Sequence, residues 1–501
     1  MSPVTIAFIF LLLGALWYWC TSHRKNGHNL PPGPRGLPII GNLHILGTFP
    51  HRTLEKLSQK YGPIMYLRLG CVPTIVVSSP QAAELFLKTH DTIFANRPKV
   101  QYSQYVAYGA KAVGFTAYGT YWRNVRKLCT LELLSTSKID SFVGMRMEEV
   151  ELLVKSIGEA AVNRQVVDLS GKMVNVIEDI TYRMIFGRNK DERFDLKGVI
   201  QDAMHLAGVF NLSDYIPLLR GFDLQGLTRR MKATSKAFDK ILETIISERE
   251  QDASNNHQRK YQDFVETMLS LMKNSSKTHD ELSFTIDRTN IKAIVFDMIA
   301  ATLDTSSSAI EWTLSELIRH PRVMKKLQQE LESVVGVHKM VEETDLPKLE
   351  YLDVVIKEGL RLHPVGPLLI PHESMEDIVI NGYHIPKKSR VLVNIWTIGR
   401  DPRAWSETAN EFIPERFIGS NIDFRGHDLR FMPFGVGRRG CPGMYLGLIN
   451  VRLVLAQLVH CFDWELPNGM LVNELDMTEK FGLTMPRAKP LLAIPTCRLH
   501  T

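Results

Sequence analysis

One cysteine near the end of the chain lies in a setting that suits metal ligation. Cys441 is followed by Pro442 and then by a long apolar-periodic run. Because proline is common at the first position of a helix, the pattern predicts that Cys441 lies at the helix cap. The backbone amides of Gly443 and Met444, together with the helix dipole, would then favour a thiolate, which can donate charge to a metal.

The residues around this cysteine suit close approach by a large flat group. Four of them have no Cβ: Gly435, Gly437, Gly440 and Gly443. Arg439 adds a fork of N–H donors that suits a carboxylate. Three of the glycines also match the dinucleotide-binding fingerprint, but that motif needs a preceding strand and much more chain after it. The segment before it contains Pro433, and we exclude this interpretation. A lone cysteine is otherwise most often a small buried apolar residue.

A second feature is a run of 36 residues, Thr285 to His320, without glycine or proline. It predicts a helix about 54 Å long that Pro321 ends. Asp297, Ala301 and Thr305 are spaced by four and share one face of this helix. A buried carboxylate needs a partner, so a bridge to a neighbouring helix is the simpler interpretation of Asp297. A substrate contact is the alternative.

The cysteine loop carries a resemblance to a known family. Its fixed positions match the pattern Phe-x-x-Gly-x-Arg-x-Cys-x-Gly of the cytochrome P450 family, the haem-thiolate monooxygenases; they are Phe434, Gly437, Arg439, Cys441 and Gly443. The resemblance implies that Cys441 is the axial ligand of the iron of haem b. It also implies that Phe434 and Arg439 contact the cofactor.

Three further residues match haem-binding positions of that family. Trp122 and Arg126 lie four apart in the predicted helix Tyr118 to Leu128, and alone they would pass for an amphipathic surface pair. The resemblance implies that both reach a haem propionate, as does His372 in the segment that passes beside the haem.

An acid and an alcohol lie side by side in the long helix. The resemblance implies that Asp304 and Thr305 deliver protons to bound dioxygen. A hydroxyl backed by an acid can relay protons from water. The family usually has glycine three residues before the threonine, where this chain has Thr302, which adds a methyl group and a hydroxyl.

A charged trio further along has a structural interpretation. Glu358 and Arg361 are three residues apart on a predicted helix, and Arg416 follows in the FIPERF segment. An isolated surface pair of this kind contributes almost nothing to stability. The resemblance implies that the trio locks the core behind the haem.

Composition places limits on function. The chain has 501 residues, 45% of them hydrophobic, which is ample for a large core. A net charge of +6 is small for this length and gives no support to nucleic-acid binding. Six scattered cysteines without a CxxC pair fit a reducing compartment. Two glycosylation patterns, Asn211–Ser213 and Asn274–Ser276, are expected to face the cytosol unmodified.

The N-terminus predicts a membrane anchor. Val4 to Cys20 contains no charged residue, and Arg24 and Lys25 follow it. A cleaved signal peptide would have basic residues before the run and small residues at its end, which this chain lacks. We expect a transmembrane anchor over residues 1–23, a basic and proline-rich hinge over 24–42, and a haem-thiolate monooxygenase domain over 43–501. The positive-inside rule places that domain in the cytosol, and the resemblance implies a single-pass protein of the endoplasmic reticulum membrane.

Patterns in the rest of the chain predict a few strands among many helices. Residues 66–78 read as two strands joined near Gly70 to Pro73, and residues 381–396 as a hairpin of strands. A strand and turn that dip toward the pocket are expected around Leu483, and the composition of residues 248–261 indicates a solvated connection. The expected fold class is mainly α with small β-sheets, the cytochrome P450 fold, in one large domain.

The resemblance covers nearly the whole chain, and the chain is similar to plant microsomal members of the family. It implies insertion of one oxygen atom from O₂ into a lipophilic small molecule, a plant terpenoid or phenolic. Electrons from NADPH would arrive through NADPH-cytochrome P450 reductase, with cytochrome b5 as an optional second donor. A haem-thiolate isomerase or dehydratase that acts on a peroxide, and a non-catalytic haem-binding protein, are the alternatives. Side chains expected to shape the pocket are Phe115, Phe296, Val365 and Leu369.

Overall fold

The structure is a computed structural model that describes residues 29–189, 193–254, 262–275 and 286–499, together with Gly14. The rest of the expected anchor, and residues 24–28 of the expected hinge, lie outside the described residues. The α-helices are α1 (Pro50–Tyr61), α2 (Pro80–Glu84), α3 (Asp91–Phe94), α4 (Gln101–Tyr105), α5 (Thr120–Leu128), α6 (Thr136–Asp140), α7 (Val143–Val162), α8 (Leu169–Phe186), α9 (Leu196–Gly208), α10 (Leu227–Ser254), α11 (Phe264–Ser275), α12 (Arg288–Arg319), α13 (Pro321–Val334), α14 (Glu350–Leu362), α15 (Ile395–Ile398), α16 (Pro402–Trp405) and α17 (Met444–Cys461).

The strands are few and short. They are β1 (Ile64–Leu69), β2 (Val72–Val77), β3 (Val167–Asp168), β4 (His372–Glu373), β5 (Ile378–Ile380), β6 (Tyr383–Ile385), β7 (Arg390–Val393), β8 (Phe462–Glu465) and β9 (Leu492–Cys497). They form three small sheets with the orders β1-β2-β7-β4, β3-β9-β8 and β5-β6. The predicted class, mainly α with small sheets, is confirmed.

The long helix α12 runs through the largest hydrophobic cluster and packs against α8, α14 and α17. It begins later than predicted because the side chain of Asp287 caps it in a reciprocal pair with Asn290. It ends at Arg319, and Pro321 opens the next helix. Among the described residues, α12 and α17 are long and apolar enough to span a membrane, and most of each is buried inside the protein.

The two strands predicted in residues 66–78 are confirmed as the antiparallel pair β1–β2, with Gly70 in the turn. The hairpin predicted over 381–396 is wrong in part. A tight turn at Asn381 and Gly382, both with positive φ, joins β5 to β6. The next strand, β7, leaves the hairpin and pairs parallel with β2, because all four of its residues are buried.

The prediction around Leu483 is right in part. The turn is present, but the strand is reduced to an antiparallel bridge between Glu479 and Arg487. Within this loop, Met485 donates to the Val365 carbonyl (2.9 Å) and accepts from Trp312 Nε1 (2.7 Å).

The solvated connection expected over residues 248–261 is wrong for residues 248–254, which continue α10 as a helix. Polar side chains there pair with other segments; Glu250 accepts from Arg288 at 2.6 Å. Residues 255–261 lie outside the described residues.

The described part of the expected hinge is docked on the sheet. Tyr66 of β1 donates to the Pro32 carbonyl at 2.9 Å, and Arg68 donates to the Asn42 side chain at 2.8 Å. Asn42 is buried. Residues 29–42 therefore belong to the folded domain. The Asn211 glycosylation pattern is inaccessible to modification in the folded protein, because the side chain of Asn211 is buried.

A buried ion cluster joins α14 to the segment that follows α16. The carboxylate of Glu358 accepts two hydrogen bonds from Arg361 (2.7 and 2.8 Å) and one from Arg416 (3.0 Å). The side chains of Glu358 and Arg361 are both 0% exposed. Both arginines also donate to backbone carbonyls of the 399–411 region, so the cluster ties this loop to α14. The structural role expected for the trio is consistent with this geometry.

We predict that Glu358→Gln lowers the free energy of unfolding by about 3–5 kcal/mol, because it leaves two buried guanidinium groups without their carboxylate. Chemical denaturation measures the change. Arg403→Ala removes an ion pair with Asp401 whose arginine side chain is 81% exposed, and this matched control should change stability by less than about 1 kcal/mol. Similar values for the two variants would contradict the assigned role.

Candidate active site

The cysteine loop folds back on itself before α17 begins. The backbone N–H of Cys441 donates to the carbonyl of Phe434 at 2.8 Å. The helix starts at Met444 with Gly443 as its N-cap, so the prediction that Pro442 opens the helix is wrong. The returning hydrogen bond holds Cys441 in the loop, ahead of the helix. The Gly443 amide still forms a hydrogen bond to the cysteine, as predicted.

The protein alone does not favour the thiolate. Burial raises the pKa of the Cys441 thiol, and it outweighs the Gly443 hydrogen bond and the charge of Arg126, which both lower it. The environment expected to favour a thiolate does so through the Gly443 hydrogen bond, but burial has the larger effect. A metal cation at the sulfur would supply the missing stabilisation, since a coordinating thiol is deprotonated. Cys441 retains accessible surface although protein surrounds it, so this surface faces the interior.

One face of α12 also opens onto an interior space. Asp297, Ala301, Thr302 and Thr305 keep accessible surface, whereas most residues of the helix are buried. The spacing of three and four places these residues on adjoining positions of one face. The predicted shared face of Asp297, Ala301 and Thr305 agrees with this pattern.

The acid and the alcohol of α12 have separate partners. The hydroxyl of Thr305 donates to the Ala301 carbonyl at 2.5 Å. Burial raises the pKa of Asp304 and outweighs the nearby charge of Lys480 and a hydrogen bond with Thr484, which lower it. Thr484 lies in the 479–487 loop that Trp312 holds against α12. This loop contains the segment around Leu483, which the sequence predicts to dip toward the pocket.

The side chain of Thr302 bonds to its own helix. Its hydroxyl donates to the Met298 carbonyl at 2.7 Å. A threonine that bonds back four residues can remain inside a helix at little cost. The usual glycine is therefore replaced here without a break in α12.

Positively charged side chains converge around Trp122. The guanidinium of Arg439 lies 4.2 Å from the Trp122 ring centroid and donates to the carbonyls of Ala95 and Thr116 at 2.6 Å each. The indole Nε1 of Trp122 donates to the Val113 carbonyl at 3.1 Å. Burial and the neighbouring Arg126 lower the pKa of Arg439 to about 10.

A third arginine completes this cluster, and motif analysis did not assign it a role. Arg97 is 5% exposed and donates to the carbonyls of Ile370 and Pro371 at 2.6 and 2.9 Å. Burial and then the charge of Arg439 lower the pKa of Arg97. In the sequence, Arg97 stands in FANRP, where nothing local distinguishes it from a surface arginine.

His372 lies beside the same cluster. Burial, followed by the charge of Arg97, lowers the pKa of His372 to about 3, so the ring is neutral near pH 7. Its Nδ1–H donates to the Phe94 carbonyl at 2.8 Å. An anion nearby would favour the protonated ring and free Nε2 to donate a second hydrogen bond.

The cluster fits an anionic group. Within the described ranges, no carboxylate forms an ion pair with Arg97, Arg126 or Arg439. One buried and two half-buried arginines without a counter-ion are costly unless an anion joins them. A group that carries carboxylates matches this donor set.

The expected pocket residues divide into two groups. Phe115, Val365 and Leu369 are half-buried. Phe296 is 1% exposed and packs edge-on against Phe238 of α10 at 5.0 Å. The prediction for Phe296 is wrong because it points into the hydrophobic core between two helices.

Comparison with known proteins agrees with this architecture. The model of the family described as Cytochrome P450 matches residues 31–493. The chain is 62% identical to cytochrome P450 CYP736A12 of Panax ginseng over the full length of both proteins. It is 42% identical to cytochrome P450 71A1 of Persea americana over 90% of each chain. It is 40% identical to a 3-beta-hydroxylase of Tanacetum parthenium over 99% of this chain and 98% of the relative.

The chain therefore belongs to the cytochrome P450 family, and the resemblance inferred from the cysteine loop is confirmed. Members of this family bind haem with a cysteine thiolate as ligand. The protein is a cytochrome P450 monooxygenase.

The 479–487 loop depends on an ion pair at its start. The carboxylate of Glu479 accepts from Arg52 at 2.9 Å and contacts His51 Nε2 at 3.2 Å. Burial would raise the pKa of Glu479, but the His51 hydrogen bond and the Arg52 charge outweigh it and lower the pKa to about 2.

We predict that Glu479→Gln lowers stability at pH 7 by about 2–3 kcal/mol, and that the difference becomes smaller in acid. A depressed carboxyl pKa stabilises the fold above the unfolded value of about 4.3, and this contribution is lost as pH falls toward 2. Unfolding of both proteins between pH 7 and pH 3 measures the effect. A difference that stayed constant with pH would show that the carboxylate charge is not responsible.

Proposed function

We propose that the protein inserts one oxygen atom from O₂ into a lipophilic small molecule, with NADPH electrons delivered by a separate reductase. The observation that carries this proposal is the arginine cluster without a carboxylate, close to a cysteine whose surface faces the interior. The apolar residues of the pocket favour a lipophilic substrate such as a terpenoid or a phenolic compound. One relative, the protein of Tanacetum parthenium, is named a 3-beta-hydroxylase.

The residues present fit haem b. Cys441 would hold the iron, and the phenyl ring of Phe434 would lie in the same loop. Arg439 and Arg126 would hold the propionates, and His372 would join them as its ring gains a proton. Trp122 would do so once its Nε1–H leaves the Val113 carbonyl. Arg97, the further member of the cluster, would share this role. Bound there, haem supplies reductive activation of dioxygen with the electron push of a thiolate ligand.

We predict that Cys441→Ser abolishes the thiolate-type absorption band of the reduced, CO-bound protein. The hydroxyl of serine is a much weaker ligand and stays protonated. Cys129→Ser is the matched control, because that cysteine is fully buried in the core and should leave the band in place. A thiolate-type band that survived in the Cys441 variant would move the ligand elsewhere.

In the proposed mechanism, two residues of α12 transfer protons to the reacting oxygen. The raised pKa of Asp304 keeps a proton available closer to neutral pH, and Thr484 and Lys480 hold its carboxyl in place. Thr305 can turn its hydroxyl from the Ala301 carbonyl toward the interior and hold a water molecule there. Protons then pass from Asp304 through water to the Thr305 oxygen and onward to the reacting oxygen.

We predict that Thr305→Ala uncouples the reaction: NADPH is still consumed, but more of it is recovered as hydrogen peroxide and product formation falls by about 10²-fold. The ratio of product to NADPH measures coupling. Thr302 has a hydroxyl about one helical turn away on the same face, so Thr302→Gly and the double variant serve as controls. Unchanged coupling in both Thr305→Ala and the double variant would mean that protons take another route.

The reaction class also separates this proposal from its alternatives. An isomerase or dehydratase acts on a peroxide without a reductase, and a haem-binding sensor turns over nothing. Substrate-dependent NADPH consumption with purified reductase, measured over a panel of terpenoids and phenolics, distinguishes all three. We propose NADPH-cytochrome P450 reductase as the partner, with cytochrome b5 as an optional second donor.

We also propose that residues 1–23 anchor the protein in the endoplasmic reticulum membrane with the catalytic domain in the cytosol. The support is the uncharged run before Arg24 and Lys25. Removal of residues 1–25 should release much of the protein from membranes and leave the CO-bound spectrum intact, because Pro32 and Asn42, which dock the hinge on the sheet, lie outside the deleted segment. Loss of haem from a soluble, monodisperse truncated protein would contradict this boundary.

A further inference from the structure

Only one of the two carboxyl oxygens of Asp297 accepts hydrogen bonds from the described residues. Its Oδ2 accepts two backbone hydrogen bonds, from Val113 and Gly114, at 2.8 Å each. These bonds fix the loop before α5 to the middle of α12. The other oxygen, Oδ1, has no hydrogen-bond partner among the residues that the structure describes.

The unused oxygen belongs to a group that faces the interior. Asp297 keeps accessible surface, yet burial is the first cause that raises the pKa of its carboxyl. This combination places its free surface inside the protein. Ala301 and Thr305 continue the same accessible face of α12, so Asp297 stands at one end of the face on which we propose the proton relay.

The surroundings of this carboxyl are apolar and contain no cation in contact with it. Tyr102 lies near enough for the Asp297 charge to contribute to the raised pKa of its phenol. The Tyr102 ring packs edge-on against Phe115 at 5.2 Å. No described arginine or lysine contributes to the electrostatics of Asp297.

Anchoring the loop does not by itself require a carboxyl group. Two N–H donors need only one carbonyl oxygen, which asparagine would supply without the cost of burying an ionisable group. A buried carboxylate in an apolar wall gains from a further hydrogen-bond donor, and within the described chain none is present.

We propose that Asp297 determines substrate specificity by accepting, through Oδ1, a hydrogen bond from a hydroxyl group of the substrate. The inference rests on the proposed function and narrows it to lipophilic alcohols or phenols. Asp297 and Thr305 are eight residues apart, about 12 Å along the helix axis. A substrate hydroxyl held at Asp297 therefore leaves a skeleton of about ten to fifteen carbons to reach the reacting end.

Matched ligands test this directly. The probes are geraniol and farnesol, each with its hydrocarbon parent, its methyl ether and its primary amine. Their binding to the haem-loaded protein is measured as dissociation constants from ligand-induced changes in the haem absorption spectrum. The ether keeps the oxygen but cannot donate, so the ratio of alcohol to ether affinity isolates the proposed hydrogen bond.

We expect the wild-type protein to bind at least one alcohol three- to tenfold more tightly than its ether, roughly the value of one hydrogen bond. In Asp297→Asn this ratio should fall to about one, while the amide oxygen still holds the Val113–Gly114 loop. Asp345→Asn, a change at a buried carboxyl that accepts from the Glu342 N–H, should keep the wild-type ratio.

Each other result overturns the proposal. Equal binding of alcohol and ether to the wild-type protein, or no binding of any probe, removes the hydroxyl contact. Tighter binding of the amine would assign the site to a cation. A ratio unchanged in Asp297→Asn would leave Asp297 as a loop anchor only. A normal CO-bound spectrum in these experiments keeps the proposed function intact, and its absence would count against that function instead.

Discussion

The structure depends on a group of like charges packed close together. Arg97, Arg126 and Arg439 lie around Trp122; the charge of Arg439 lowers the pKa of Arg97, and the charge of Arg126 lowers the pKa of Arg439. The N–H groups of Arg97 and Arg439 donate to backbone carbonyls of loops that are distant in sequence, near residues 95, 113–116 and 370–371. These hydrogen bonds hold the loops in place, and an anion bound beside them would offset the repulsion among the three charges.

Burial and nearby charges also set the protonation state of the Cys441 thiol. Burial disfavours the thiolate of Cys441, and the single nearby amide and Arg126 do not reverse this effect. If Cys441 is the iron ligand, as we propose, the metal cation would stabilise the thiolate that burial disfavours. Propionates would neutralise the charge of the arginines, which have no carboxylate partner among the described residues.

The long helix α12 carries polar side chains whose partners come from other segments. The loop at 113–114 binds Asp297, and the 479–487 loop binds Asp304. Tertiary contacts therefore decide which oxygen of each carboxyl is free. In this arrangement one acid faces the proposed substrate end and the other the proposed proton route, although both lie on one helix.

Local patterns in the chain were enough to predict the helical class, the long helix, the β1–β2 pair and the turn around Leu483. Each of these depends on residue types at short spacing, such as glycines with positive φ or a 36-residue run without a helix breaker. The Glu358 trio was inferred from the family resemblance, because Arg416 lies 58 residues from Glu358 in the sequence. The start of α17, the direction of Phe296 and the role of Arg97 could not be predicted from local patterns. They depend on hydrogen bonds and packing between residues far apart in sequence, because a buried donor or ring takes whichever partner the folded neighbours present. The chain determined which groups could do the chemistry, and the tertiary structure decided which of them remain free to do it.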